Sequence, residues 1–233
     1  KLKHVPDIDG VILISASGGK HAPIIAKYAK DLGKSVIFIT NNPNAEAAKF
    51  IEDDKIFVSP KNREPYTYNT STYMGIILGR THENPREIQN FIEKYIDTIS
   101  FPDFSQYDKY FLIIPPKFSG IIRMLQVKFI ELFGRRIARD VETSEYMKHA
   151  VTVVPSDELF ISFGEENTIW GEPGQRFHIP LPENAGYAAM MAIGYYVIAQ
   201  IQKQHQPYFK ENIAAYTKQA SKIFGNTINP IIE

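Results

Sequence analysis

The chain has 233 residues, 44% of them hydrophobic and 22% charged, and its 26 basic and 26 acidic side chains cancel. That balance suits one large or two modest globular domains with a sizeable core, and the missing basic excess argues against a nucleic-acid partner, whose affinity comes largely from neutralising phosphates. With no cysteine, disulfides, thiolate metal sites and cysteine nucleophiles are excluded together; no apolar run approaches the ~18–20 residues of a membrane span, and a cytoplasmic location away from membranes is expected.

The chain opens Lys1-Leu2-Lys3-His4, which is neither a signal peptide nor a Met start, and it reads as a fragment or a trimmed chain. The run Gly-Val-Ile-Leu-Ile-Ser at 10–15 suits a strand buried on both faces of a parallel sheet. After a Ser- and Gly-containing loop, residues 21–32 predict a helix with Ile24, Ile25, Tyr28 and Leu32 on one face, Pro23 near its start and Gly33 at its stop. Residues 35–40 predict a strand, Asn41-Asn42-Pro43-Asn44 a turn and helix cap, and 55–58 a short third strand. Helices are expected at 70–80 and 85–100, and 101–106 has linker character. A second alternating region opens with a strand at 110–114, a loop at 115–120 and a helix at 121–133. Strands are expected at 151–154, 159–163 and 177–180, and helices at 185–203 and 208–224. Strand-helix-strand repetition of this kind predicts a parallel sheet flanked by helices, in two similar halves, 1–106 and 107–233.

The loop after the first strand, Ser15-Ala16-Ser17-Gly18-Gly19-Lys20, is suited to an anion. Amides of the loop and the positive end of the following helix point at the ligand, hydroxyls add hydrogen bonds, and a lysine adds charge. On this loop alone, a phosphate cradle and an ordinary strand-helix turn fit the residues equally well.

Taken in order, Val11 to Gly18, Lys34 to Asn41 and the stretch Glu64-Pro65-Tyr66-Thr67-Tyr68-Asn69-Thr70-Ser71-Thr72 resemble sugar isomerase (SIS) domains. That family includes the isomerase half of glucosamine-6-phosphate synthase and several phosphosugar isomerases. The resemblance implies a three-layer α/β/α fold of two SIS-like, flavodoxin-like subdomains. It implies that Ser15 and Ser17 hold a sugar phosphate with Gly18, Gly19 and Lys20, and that Thr67, Asn69, Thr70, Ser71 and Thr72 line the sugar pocket. Gly19 and Lys20 stand where the family has an acidic residue and a threonine. The family's strand and glycine-rich loop ahead of the Ser-x-Ser-Gly strand have no counterpart here, so either the protein extends upstream or the first subdomain is reduced.

In the second half, the helix ending Lys128-Phe129-Ile130-Glu131-Leu132 and the segment Glu142 to Ala150 resemble the family's catalytic stretches, as in a double-SIS protein. Aldose-ketose isomerisation needs a base that moves a proton between C1 and C2 and a group that assists ring opening. The resemblance assigns these roles to Glu131 and His149, the latter often reaching across a subunit interface, and it implies a homodimer. A solvated Glu131 and a structural His149 are the competing readings. Neither a metal cluster nor a nucleotide motif is present in the sequence, so no cofactor is expected. The leading expectation is a phosphosugar isomerase or amino-sugar-phosphate isomerase or deaminase. The alternative is a non-catalytic phosphosugar sensor.

Overall fold

A computed structural model describes residues 2–5, 7–60, 69–150, 155–206, 208–225 and 227. The strand expected at 151–154 and the candidate pocket residue Thr67 lie outside the described residues. The chain forms two compact units, the first reaching Ile76 and the second beginning at Ile77. The two parallel sheets with flanking helices are the expected α/β architecture.

The first unit holds a three-stranded parallel sheet in the order β1 (Gly10–Ile14), β2 (Ser35–Thr40), β3 (Ile56–Val58). Helix α1 (Ala22–Asp31) connects β1 to β2. It buries Ala22, Ala26 and Ala29 in a cluster with Leu13, Val36 and Phe38. The larger apolar residues that mark the helix in the sequence, Ile24, Ile25, Tyr28 and Leu32, are exposed. Alanines let the helix axis approach the sheet closely, so the bulky stripe is carried on the outer side. Helix α2 (Asn69–Thr81) follows.

The second unit is built on a four-stranded parallel sheet, ordered β5 (Ala138–Thr143), β4 (Lys109–Ile114), β6 (Leu159–Phe163), β7 (Arg176–Ile179). The first strand of the unit thus lies inside and the order reverses beside it, as in flavodoxin-like sheets. Every residue of β6, and β4 from Tyr110 to Ile114, is buried, which is why both read as continuous apolar runs. β5 was not expected. Ala138-Arg139-Asp140-Val141-Glu142-Thr143 occupies the sheet edge and buries only Val141 and Thr143, so its charged residues hide the strand signal. Helix α4 (Ile122–Phe133) packs against α6 (Tyr187–Gln204) and α7 (Tyr208–Phe224), and the short α5 (Ser144–Ala150) follows β5.

The helix expected over 85–100 begins as α3 (Pro85–Phe91) and passes into a π-helical turn at Ile92–Ile96. Asn84 caps its start by accepting from the Arg86 amide at 3.0 Å. The segment 101–106 is not a linker: Phe104 is fully buried, its ring lies against Tyr110 and Phe177, and its amide donates to the Gln204 side chain at 2.6 Å. The Tyr110 hydroxyl meets the Phe104 carbonyl and His205 Nε2, both at 2.8 Å. Burial pushes the Tyr110 hydroxyl pKa up and holds the His205 imidazole below its usual value against the opposing pull of the Phe104 carbonyl. Closing this small polar set inside the aromatic cluster fixes the end of α6 to the loop before β4.

The N-terminus of α6 is satisfied from a distance. The Glu83 carboxylate accepts from the amides of Gly186, Ala188 and Ala189 at 2.9, 2.8 and 3.0 Å. A Cβ on Gly186 would stand 2.4 Å from Glu83 Oε2, so glycine is required there for the carboxylate to reach the amides.

Candidate functional site

The loop between β1 and α1 is shaped by its carbonyls. The Ala16 carbonyl accepts from Thr40 Oγ1 at 2.8 Å and from the Asn41 amide at 3.1 Å. The Ser17 carbonyl accepts from Asn42 Nδ2 at 2.9 Å. The Gly18 carbonyl accepts from the Ala47 amide, and the Gly19 carbonyl from the Ala22 amide, both at 3.1 Å. Four consecutive carbonyls are therefore tied back to protein donors, mostly at the carboxyl end of β2. A trans peptide points its N–H opposite to its C=O, so tying these carbonyls down holds the loop in one conformation and directs the amides that follow them away from the donors.

Backbone conformation reinforces this. Gly18 has φ 63° and Lys20 has φ 56°, so two residues of the loop adopt left-handed backbone. Lys20 bears the cost of this conformation without being glycine. Gly18 is buried, and a Cβ there would fall 2.3 Å from the Ala45 Cβ and 2.8 Å from the Phe38 ring. The Ser17 side chain is exposed, with its Oγ 3.4 Å from the Gly19 amide. His21, at the N-cap of α1, makes no side-chain capping bond, but the first turn offers few free amides because Ala22 donates to the Gly19 carbonyl and Pro23 has no N–H. The arrangement can hold a small oxyanion at the end of β1, with hydroxyls from Ser15 and Ser17 alongside.

Comparison with solved structures identifies this architecture. A putative phosphosugar isomerase from Bacillus subtilis superposes with a TM-score of 0.55 at 12% identity, covering 87% of this chain and 75% of that one. A putative phosphosugar isomerase from Salmonella typhimurium LT2 gives 0.51 at 13% identity over 88% and 78%, and one from Clostridium difficile 630 gives 0.50 at 12% over 85% and 72%. The chain has the SIS fold. No family model and no curated protein matches the sequence. At these identities the likeness speaks for the fold, and the site rests on its own geometry.

Within the SIS fold, Ser15, Ser17, Gly18, Gly19 and Lys20 share one loop, whereas Asn69, Thr70, Ser71 and Thr72 form the first turn of α2. The two catalytic candidates stand on different helices joined through β5. Glu131 lies in the last turn of α4, which leads into β5, and its carboxylate pairs with Lys128 at 3.0 Å. His149 is exposed in α5, which leaves the other end of β5. β5 lies between them in the chain, rising about 3.3 Å per residue. The second-half counterpart of the Ser15–Lys20 loop is closed: residues Pro116–Ile121 wind into a 3-10 helix with Phe118 and Ile121 buried, and Lys117 donates to the Ala185 carbonyl at 3.0 Å.

Two contributors escaped the sequence reading. Thr40 and Asn42 orient the loop by bonds that span 24 and 25 residues, and their only sequence signal is polar side chains where β2 ends. Among the described residues, no helix is long and apolar enough to cross a membrane.

Proposed function

We propose that the protein binds a sugar phosphate, with the phosphate on the Ser15–Lys20 loop and the sugar toward the first turn of α2. The observation that carries this reading is the tying back of the Ala16, Ser17, Gly18 and Gly19 carbonyls, which fixes the loop at the end of β1 with the Ser15 and Ser17 hydroxyls on it, an arrangement suited to an oxyanion. The resemblance in the sequence and the names of the similar structures support the sugar-phosphate class of ligand. Calorimetric titration with hexose and pentose phosphates should give saturable heat that inorganic phosphate competes away. No heat with any of them would overturn the reading.

Catalysis is the finer part of the proposal. Glu131 is the base that shuttles a proton between C1 and C2, and His149 assists ring opening. In this reading His149 reaches the sugar from a second copy of the protein, as the resemblance implies, and the exposed stripe Ile24, Ile25, Tyr28 and Leu32 on α1 supplies apolar surface for such a homodimer. Glu131→Gln should abolish isomerisation while sugar-phosphate binding stays within about twofold, because the amide keeps the shape and loses the proton acceptor. Turnover equal to wild type removes Glu131 from the mechanism. Binding without turnover in the wild-type protein favours a phosphosugar sensor.

A further inference from the structure

A cavity of about 140 Å3 opens at the carboxyl edge of the second unit's sheet. It lies beside Ile113 at the end of β4, below Ser144 at the end of β5, and against the loop that follows β6. This is where the strand order reverses, the place where open parallel sheets bind ligands. Its lining belongs wholly to the second unit, whereas the Ser15–Lys20 loop belongs to the first.

The cavity wall is rigid by construction. Arg176 donates to the carbonyls of Thr168, Ile169, Trp170 and Gly171 at 2.8, 3.1, 3.1 and 2.9 Å. The buried Asn167 accepts from the amides of Ile169 and Trp170 at 3.1 and 2.9 Å and donates to the Trp170 carbonyl at 2.8 Å. Gly171, at φ 75°, has no room for a Cβ, which would meet the Phe160 ring at 2.4 Å. Trp170 packs against the buried cluster of Phe111, Ile113, Met147 and Phe160 and also lines the cavity. Its indole is thus a fixed apolar platform with a polar rim of Glu165, Glu166, Lys148 and Ser144. Ser144 Oγ donates to Glu165 Oε2 at 2.7 Å, which orients that carboxylate.

The chemistry of the lining selects a ligand. Two carboxylates against one ammonium make the rim net negative, which disfavours a phosphate and favours hydroxyl and ammonium donors. An aromatic face accepts an apolar ring face or a cation. The volume is below the ~300–1,000 Å3 of drug-sized pockets, so a single ring fits. We propose that this cavity is a second ligand site for an unphosphorylated monosaccharide, bound best as an amino-hexose, with the ring on Trp170 and its hydroxyl and ammonium groups on Glu165 and Glu166.

Trp170 is the only tryptophan of the chain, so its emission reports this cavity alone. Titration with D-glucosamine should change that emission saturably, with D-glucose binding more weakly and glucose 6-phosphate more weakly still. Glu165→Gln/Glu166→Gln should weaken glucosamine about tenfold or more, the effect of losing roughly one charge-assisted hydrogen bond. Ser17→Ala should leave the titration unchanged, which separates this site from the phosphate loop. Trp170→Phe, followed by calorimetry, should retain weakened binding and controls for optical artefacts. No saturable change with either free sugar, a response that survives the double substitution intact, or tighter binding of glucose 6-phosphate than of glucosamine would overturn the proposal.

Discussion

Glu83→Ala should destabilise the protein by about 2–3 kcal/mol, with a fall in Tm of roughly 4–10 °C for a domain of this size. The substitution leaves the Gly186, Ala188 and Ala189 amides without the carboxylate that now accepts from all three. It also removes a negative charge from the positive end of α6, whose buried residues include Met190, Ile193, Val197 and Ile201. The pH dependence carries a definite sign. Burial pushes the Glu83 carboxyl up, but hydrogen bonds from Ala188, Ala189, Thr81 and Gly186 together outweigh it, and the net displacement is below the ordinary value of 4.5. A carboxyl held low when folded contributes stability above its unfolded pKa and loses it as pH falls through the folded value. The Tm difference between wild type and Glu83→Ala should therefore be full near neutrality and shrink below about pH 4.5. A difference that is constant across that range, or a Tm within 1 °C of wild type at neutral pH, would contradict the capping role.

Gly18→Ala should abolish sugar-phosphate binding and destabilise the first unit by about 2–4 kcal/mol. The left-handed backbone at φ 63° costs a non-glycine residue ~1–2 kcal/mol. The added Cβ also falls 2.3 Å from that of Ala45, on a segment held to the loop by the bond from the Ala47 amide to the Gly18 carbonyl. Relief of the clash moves the loop off that tether and displaces the Ser17 hydroxyl with it. Gly19→Ala is the control. Its Cβ has no neighbour nearer than Ser17 Oγ at 3.9 Å, so stability should stay near wild type. Equal effects of the two substitutions would mean that the Gly18 geometry is not what shapes the loop.

Elements whose signal is local were legible in the sequence. Tyr110 to Ile114 and Leu159 to Phe163 are interior strands, and interior parallel strands need apolar residues on both faces. The Ser15–Lys20 loop was legible because a strand, a glycine turn and a helix start are adjacent in sequence. Features that depend on a distant partner were not legible. β5 reads as polar and buries only Val141 and Thr143 at its edge, whereas β1, read as buried on both faces, is also an edge strand and buries only Leu13. Phe104 reads as part of a linker until Tyr110 and Phe177 close around it. The Glu83 cap spans 103 residues to Gly186, and nothing near Glu83 in the sequence announces it. Glu131 and His149 are close in sequence, but β5 intervenes, and they stand on different helices. The stripe on α1 was read correctly as helical, yet the face that packs is the alanine face, because a close helix-sheet contact selects for small side chains.

The central claim is that the Ser15–Lys20 loop holds the phosphate of a sugar phosphate, and the most direct test is a thermal-shift comparison of wild type and Ser17→Ala. Each protein is measured with hexose and pentose phosphates, amino-sugar phosphates, the corresponding free sugars and inorganic phosphate. A ligand that binds only the folded state must raise Tm. A saturable rise is expected with at least one sugar phosphate, little or none with its free sugar, and a loss of most of that rise in Ser17→Ala while the ligand-free Tm is unchanged. An identical rise in the mutant, or no rise with any phosphorylated sugar, would contradict it.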